Sequence, residues 1–239
     1  MKLEVYFTPE ELTGGDLREH VAVVVDVLRA TSVIAQALAS GARVIYPAGT
    51  TEEAVRLGQN LDRSELILCG ERGGLRIEGF DLGNSPLEFT PDAIGDRTLV
   101  MTTTNGTPAL IAASTAKRTL AASFLNLGAV AKALTTAESI AIVCAGRERR
   151  FALEDTVCAG MLVERVMKAR AGEDAQMNDG ARAAVALARR YSEDLDAMLR
   201  GTAAGRALID IGHDHDVVYC AGVDQLDVVP SLEDRRITA

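Results

Sequence analysis

The segment HVAVVVDVLRATSVIAQALASG, residues 20–41, constrains the fold more than any other part of the chain. Its first half is an unbroken Val-rich run, and its second half sets Ala, Val, Ile and Leu at helical period as far as Gly41. A continuous apolar run must be covered on both faces, so this strand belongs inside a sheet flanked by helices. The alternation recurs. Strand runs are read at 42–47, 65–70, 97–102, 139–146 and 216–222, and a further short strand opens the chain. Helical patterns lie between them in TEEAVRLGQNL, TPALIAAST, NLGAVAKAL and EDTVCAGMLVERVMKA. The expected fold is α/β, a largely parallel or mixed sheet between helix layers. Gly41 closes one helix, and Thr50 or Thr51 caps the next with Glu52 and Glu53 in its first turn.

Two regions break this rhythm. Residues 70–96 hold six glycines with little periodicity, a long irregular stretch of the kind that carries function or disorder. From about 171 to 211 the chain is helical and charged. The simplest reading is a single α/β unit over 1–239, its motifs concentrated in 1–160, with a helical segment at about 171–211 before the final strands.

Composition narrows the function. With 239 residues, 48% hydrophobic, the chain can bury a core, and with aromatics at 4% that core is aliphatic. A net charge of −9 argues against a nucleic-acid partner. Cys69, Cys144, Cys158 and Cys220 have no C-x-x-C spacing, so neither a zinc site nor a disulfide framework is expected. No apolar run approaches the roughly 18 residues of a membrane span, and MKLEVYFTPEEL does not read as a signal peptide. These features point to a soluble cytoplasmic protein with no membrane partner. A homodimer is compatible with them.

Five loops can carry chemistry, each at the end of a strand run or in the irregular stretch. In VVVDVLRATS, Asp26 ends a strand, Arg29 follows in the turn, and Thr31 and Ser32 stand where a helix N-cap belongs. Ligands gather at such carboxyl ends, beside free helix N–H groups. An Asp there can ligate a metal or attack phosphorus, and an Arg can fork onto an acidic group; equally, the pair can cap the turn and salt-bridge. The haloacid-dehalogenase pattern is excluded because Leu28 stands where a second Asp is required. CGERGG sets Glu71 and Arg72 among three glycines, and GFDLGNSP offers Asp81 and Asn84 as oxygen donors. VMTTTNGTPAL places Thr102, Thr103, Thr104, Asn105, Gly106 and Thr107 before a helix, more hydroxyls than a cap requires and suited to an oxyanion. No Gly-Lys-Ser/Thr follows, so it is not a P-loop.

The fifth loop, CAGRERRFALEDTVCAG, carries Arg147, Arg149 and Arg150 and then Glu154 and Asp155 in a first helical turn, where capping the helix dipole is the plainer role. Cys144 and Arg150 fit the C-x5-R spacing of cysteine phosphatases, but Glu148 and Phe151 fit that pattern badly. A buried Cys144 is the usual outcome. His213 and His215 in GHDHD have the look of a ligand pair without a third member, and an exposed turn is expected.

Taken in order, DVLRATS, GERGG, GFDLGNSP, TTTNGT, SFLN and CAGRERRFALEDTVCAG resemble the 2-phosphosulfolactate phosphatase (ComB) family. The resemblance implies a three-layer α/β fold and a Mg²⁺-dependent hydrolysis of (2R)-2-phospho-3-sulfolactate to (2R)-3-sulfolactate and phosphate, a step that in methanogens leads to coenzyme M. It implies metal ligands or catalytic carboxylates among Asp26, Glu71, Asp81, Glu154 and Asp155. Arg29, Arg72 and Arg147 would meet the sulfonate and carboxylate, while Thr31, Ser32 and the Thr103, Thr104, Asn105, Gly106 and Thr107 corner would hold oxyanions. Attack by Asp26 itself and attack by an activated water both stay open. So do two other functions: a Mg²⁺-dependent phosphatase for another small phosphorylated acid, and a non-catalytic anion-binding protein. A dinucleotide-binding dehydrogenase is excluded by the missing G-x-G-x-x-G.

Overall fold

The computed structural model describes residues 1–12 and 17–239. The strands are β1 (Lys2–Tyr6), β2 (Val21–Val25), β3 (Val44–Pro47), β4 (Leu66–Arg72), β5 (Leu75–Arg76), β6 (Thr98–Thr102), β7 (Arg118–Ala122), β8 (Ser139–Cys144), β9 (Gln176–Met177), β10 (Ser231–Glu233) and β11 (Arg236–Thr238). The helices are α1 (Ala30–Ala39), α2 (Thr51–Gly58), α3 (Pro91–Ile94), α4 (Gly106–Ala113), α5 (Leu127–Ala133), α6 (Leu153–Ala169), α7 (Asp179–Tyr191), α8 (Leu195–Gly201), α9 (Ala203–Asp210) and α10 (Asp214–Cys220).

The strands form one sheet in the order β5-β4-β6-β3-β11-β10-β7-β2-β8-β1-β9. It is mixed, as expected. One parallel group is β4-β6-β3 and the other is β7-β2-β8-β1-β9. Between them lies the β10–β11 hairpin, antiparallel to β7 on one side through Ser231 and Leu232 and to β3 on the other through Ile237.

The Val run of β2 is buried on both faces. Val23 and Val25 join a core formed with α5, α6 and α7, whereas Ala22 and Val24 join a second core with α1 and α4. That division explains why the strand reads as continuous and not alternating. Helix α2 starts as its sequence predicts, with the Thr50 side chain accepting from Glu53 N–H at 3.1 Å. Gly41 follows α1 with φ +94°.

Three sequence expectations change. The run at 216–222 is a helix, α10, and not a strand. Strand β7 falls in a stretch that carries no strand signal of its own. The irregular 70–96 stretch contains β5 and α3. The helical segment at about 171–211 is present as α7, α8 and α9.

Candidate active site

The turn after β2 is built around Asp26. Thr31 Oγ1 donates to the Asp26 carbonyl at 2.8 Å and accepts from Asp26 N–H at 3.0 Å, and Ser32 Oγ donates to the Val27 carbonyl at 2.9 Å. Thr31 and Ser32 are therefore spent inside the turn. They fix the Asp26 backbone and leave its carboxylate at the start of α1, where Oδ1 accepts from Ala30 N–H at 3.3 Å. The Leu28–Arg29 peptide in this turn is cis.

The threonine corner after β6 is also largely self-satisfied. Thr103 and Thr107 exchange backbone N–H bonds to each other's hydroxyls at 2.9 and 3.0 Å, and Thr102 Oγ1 accepts from Arg72. So these hydroxyls stiffen the corner, and Gly106 brings it against the acid. A Cβ on Gly106 would stand 2.4 Å from Ala30 Cβ and 2.6 Å from Asp26 Oδ2. Glycine is required for so close an approach.

Glu71 joins two loops. Its Oε1 accepts from Thr104 N–H at 2.7 Å and its Oε2 from Gly74 N–H at 2.8 Å. Asp155 acts similarly between the β2 and β8 loops, accepting from Val27 N–H at 2.9 Å and Gly146 N–H at 3.1 Å. Its neighbour Glu154 is also buried and faces the charge of Arg147, whose guanidinium donates to the Ala203 carbonyl at 2.8 Å.

These elements enclose a cavity of about 120 Å³. Of the residues singled out in the sequence, Asp26, Arg29, Glu71, Thr103, Thr104, Asn105, Arg147, Glu154 and Asp155 line it. Thr31, Ser32, Arg72, Gly106 and Thr107 lie outside the lining. The structure places Asp81 elsewhere: it pairs with Arg63 at 2.7 Å and accepts from Leu68 N–H at 2.8 Å, beside a separate surface hollow. That arrangement pins the start of β4 and keeps the Asp81 carboxylate away from the other four.

Cys144 is fully buried, and burial together with the Asp155 charge pushes its thiol well up. No thiolate nucleophile is available there at neutral pH, which removes the C-x5-R reading.

The residues that hold Arg29 carry no signal in the sequence. Arg29 is 3% exposed and donates to Asp216 Oδ2 at 2.5 Å and to the Gly74 carbonyl at 2.7 Å. Asp216, on α10, also accepts from Ser85 Oγ at 2.5 Å and faces His213 Nδ1 at 3.2 Å. His213 thus serves this ion pair and does not form a metal pair with His215. Helix α9 and the turn after it roof the cavity with Ala204, Ala207, Leu208 and Ile211.

A family model described as 2-phosphosulpholactate phosphatase matches residues 6–235. The chain belongs to this family. Three relatives, each named probable 2-phosphosulfolactate phosphatase, align along most of their length. One from Caldanaerobacter subterraneus is 38% identical over 98% of this chain and 96% of its own. One from Cyanothece is 41% identical over 96% of both, and one from Thermotoga petrophila is 42% identical over 88% of both.

The electrostatics of the family member's cavity are lopsided. Five carboxylates line it, Asp26, Glu71, Glu148, Glu154 and Asp155, against two guanidiniums, Arg29 and Arg147. Burial, reinforced by the charges of Glu71 and Glu154, raises Asp26 to about 7. Burial also raises Glu154, and burial with the charges of Asp26 and Glu154 raises Asp155. Among the described residues, no three acidic, His or Cys side chains form a ready-made metal cage. The donors are nonetheless all oxygen, as Mg²⁺ prefers, and Mg²⁺ commonly takes only one or two carboxylates, completing its shell with water and substrate phosphate.

A pH dependence of stability follows. In metal-free protein the native state keeps protons on these acids at pH values where the unfolded chain has lost them, so stability falls as pH rises. At about 1.4 kcal/mol per pH unit, the rise of Asp26 from 3.8 to about 7 costs the native state on the order of 4 kcal/mol above neutrality. In EDTA the melting temperature of wild type is expected to fall progressively behind that of Asp26→Asn between pH 4 and about 7. A difference that stays flat across that window contradicts the assignment.

Proposed function

We propose that this chain hydrolyses (2R)-2-phospho-3-sulfolactate to (2R)-3-sulfolactate and phosphate with the help of Mg²⁺. The observation that carries the reading is the approach of the Asp26 carboxylate to the Gly106 backbone in a cavity shared with Arg29 and Arg147. Family membership supplies the substrate, through the names of the relatives. The excess of carboxylates supports the cation, because a substrate carrying phosphate, sulfonate and carboxylate would otherwise meet net repulsion. Held by Glu154 and neighbouring oxygens of the lining, Mg²⁺ would offset charge on the phosphoryl oxygens.

The residues supply the rest. Asp26, whose carboxylate stands at the start of α1 against Gly106, takes the proton of a water whose oxygen bonds to phosphorus as the ester P–O bond breaks. The leaving alkoxide takes its proton from solvent water. The Thr103–Thr107 ring keeps the corner rigid while this happens.

The test is phosphate release from 2-phosphosulfolactate with EDTA, with Mg²⁺ restored, and after thiol alkylation. EDTA should cut the rate by at least about 10²-fold and Mg²⁺ should restore it. Alkylation should leave it unchanged, since all four cysteines are buried. Activity indifferent to EDTA but lost on alkylation would refute the carboxylate–metal reading.

A further inference from the structure

Asn84 is 5% exposed, lines the cavity, and its Oδ1 has no hydrogen-bond partner among the described residues. Buried polar groups are ordinarily paired, because one that gives up water without a replacement is destabilising. Its flanks, by contrast, are pinned. Gly83 N–H donates to Glu88 Oε2 at 2.7 Å, and Ser85 Oγ donates to Asp216 Oδ1 at 2.5 Å. The protein pins both neighbours of Asn84 and leaves the carboxamide oxygen between them without a partner among the described residues.

Through Ser85 and Asp216, Asn84 is linked to the ion pair that holds Arg29, another residue of the lining. Arg29 brings little free charge there, for Asp216 balances it and the Gly74 carbonyl takes its second nitrogen. A neutral amide beside a balanced guanidinium makes a weak field. A phosphate dianion demands net positive charge and charge-assisted donors. A sulfonate carries one diffuse charge over three weakly basic oxygens and is satisfied by neutral N–H donors. Rotation of the carboxamide exchanges Oδ1 and Nδ2 without changing its shape, so the group can turn its donor to the ligand.

We infer that Asn84 is a specificity-determining residue whose amide donates to the sulfonate of the substrate. This rests on the function proposed above and names the part of the substrate that Asn84 reads.

The experiment compares kcat/KM for 2-phosphosulfolactate with that for 2-phospholactate, which has a methyl group in place of the sulfomethyl group, in wild type, Asn84→Asp and Asn84→Ala. The ratio between the two substrates is expected to fall about 10- to 100-fold in Asn84→Asp, which sets an acceptor against the sulfonate, and less in Asn84→Ala. An unchanged ratio in both variants overturns the inference. If wild type does not turn over 2-phosphosulfolactate, the proposed function fails, and calorimetric binding of 3-sulfolactate against lactate then decides the role of Asn84. Preference for sulfolactate in wild type that is lost in Asn84→Asp supports it. No preference in wild type, or preference kept in both variants, overturns it. Thermal melting of each variant identifies a loss caused by misfolding, in which case the remaining variant supplies the comparison.

Discussion

Replacing Asp26 by Asn is expected to lower kcat/KM by about 10²- to 10⁴-fold, the range for removing a positioned proton acceptor. The substitution is nearly isosteric. The side-chain oxygen that accepts from Ala30 N–H can be kept, and the Thr31 and Ser32 bonds involve only the backbone of the turn. Folding should therefore survive. Metal-free stability above neutrality should even rise, because the variant no longer has to hold a buried charge beside Glu71 and Glu154. Paired measurements of phosphate release and thermal melting check both halves. Hydrolysis at close to the wild-type rate would make Asp26 structural and remove the centre of the proposed mechanism.

The largest loss of stability is expected from Asp216→Ala. Arg29 and Asp216 side chains are each only 2% exposed, so the variant strands a guanidinium in the interior and also unpairs Ser85 and His213. Breaking a buried pair from one side costs about 3–5 kcal/mol, which for a chain of this size lowers the melting temperature by roughly 6–20 °C. A double variant, Arg29→Met with Asp216→Leu, removes both charges and should recover much of that stability. It should not recover activity, since the cavity loses one of its two guanidiniums. Recovery of activity along with stability would show that Arg29 has no part in the reaction.

Much of the site was legible because loops at strand ends carry their chemistry in the residues themselves. Asp26 and Glu71 sit where the Val- and Ile-rich runs stop, Glu154 and Asp155 open helix α6, and the structure brings all four to one cavity. What the sequence concealed is how each polar group is used. Four threonines in a row of six suggest ligands for an oxyanion, yet Thr103 and Thr107 bond each other and Thr102 receives Arg72. Asp81 has the same composition cues as Glu71, and only a distant residue, Arg63, decides that it serves β4 instead.

Helix α10 departs from the strand expectation for a physical reason. DVVYC favours a strand by propensity, but its buried residues Asp216, Val217 and Cys220 follow a helical spacing, and Asp214 and Asp216 suit a first helical turn. Strand β7 was hidden because RTLAA is short and follows an Ala-rich helix with no strong turn signal between them. With α10 read as a strand, the partner of Arg29 could not be found, since Asp216 then had no reason to face the β2 turn.

The β10–β11 hairpin has a bearing on how the enzyme is made. Residues 231–238 come after nearly all the rest of the sequence, yet they lie mid-sheet between β3 and β7. Glu71 and the threonine corner belong to one parallel group, while Asp26 and Asp155 belong to the other. On the ribosome, both groups can be complete while this hairpin is still inside the exit tunnel. During that interval β3 and β7 present open edges, the kind that neighbouring chains can pair with. The nascent protein is thus most exposed to aggregation just before the loops that line its cavity are locked into one sheet.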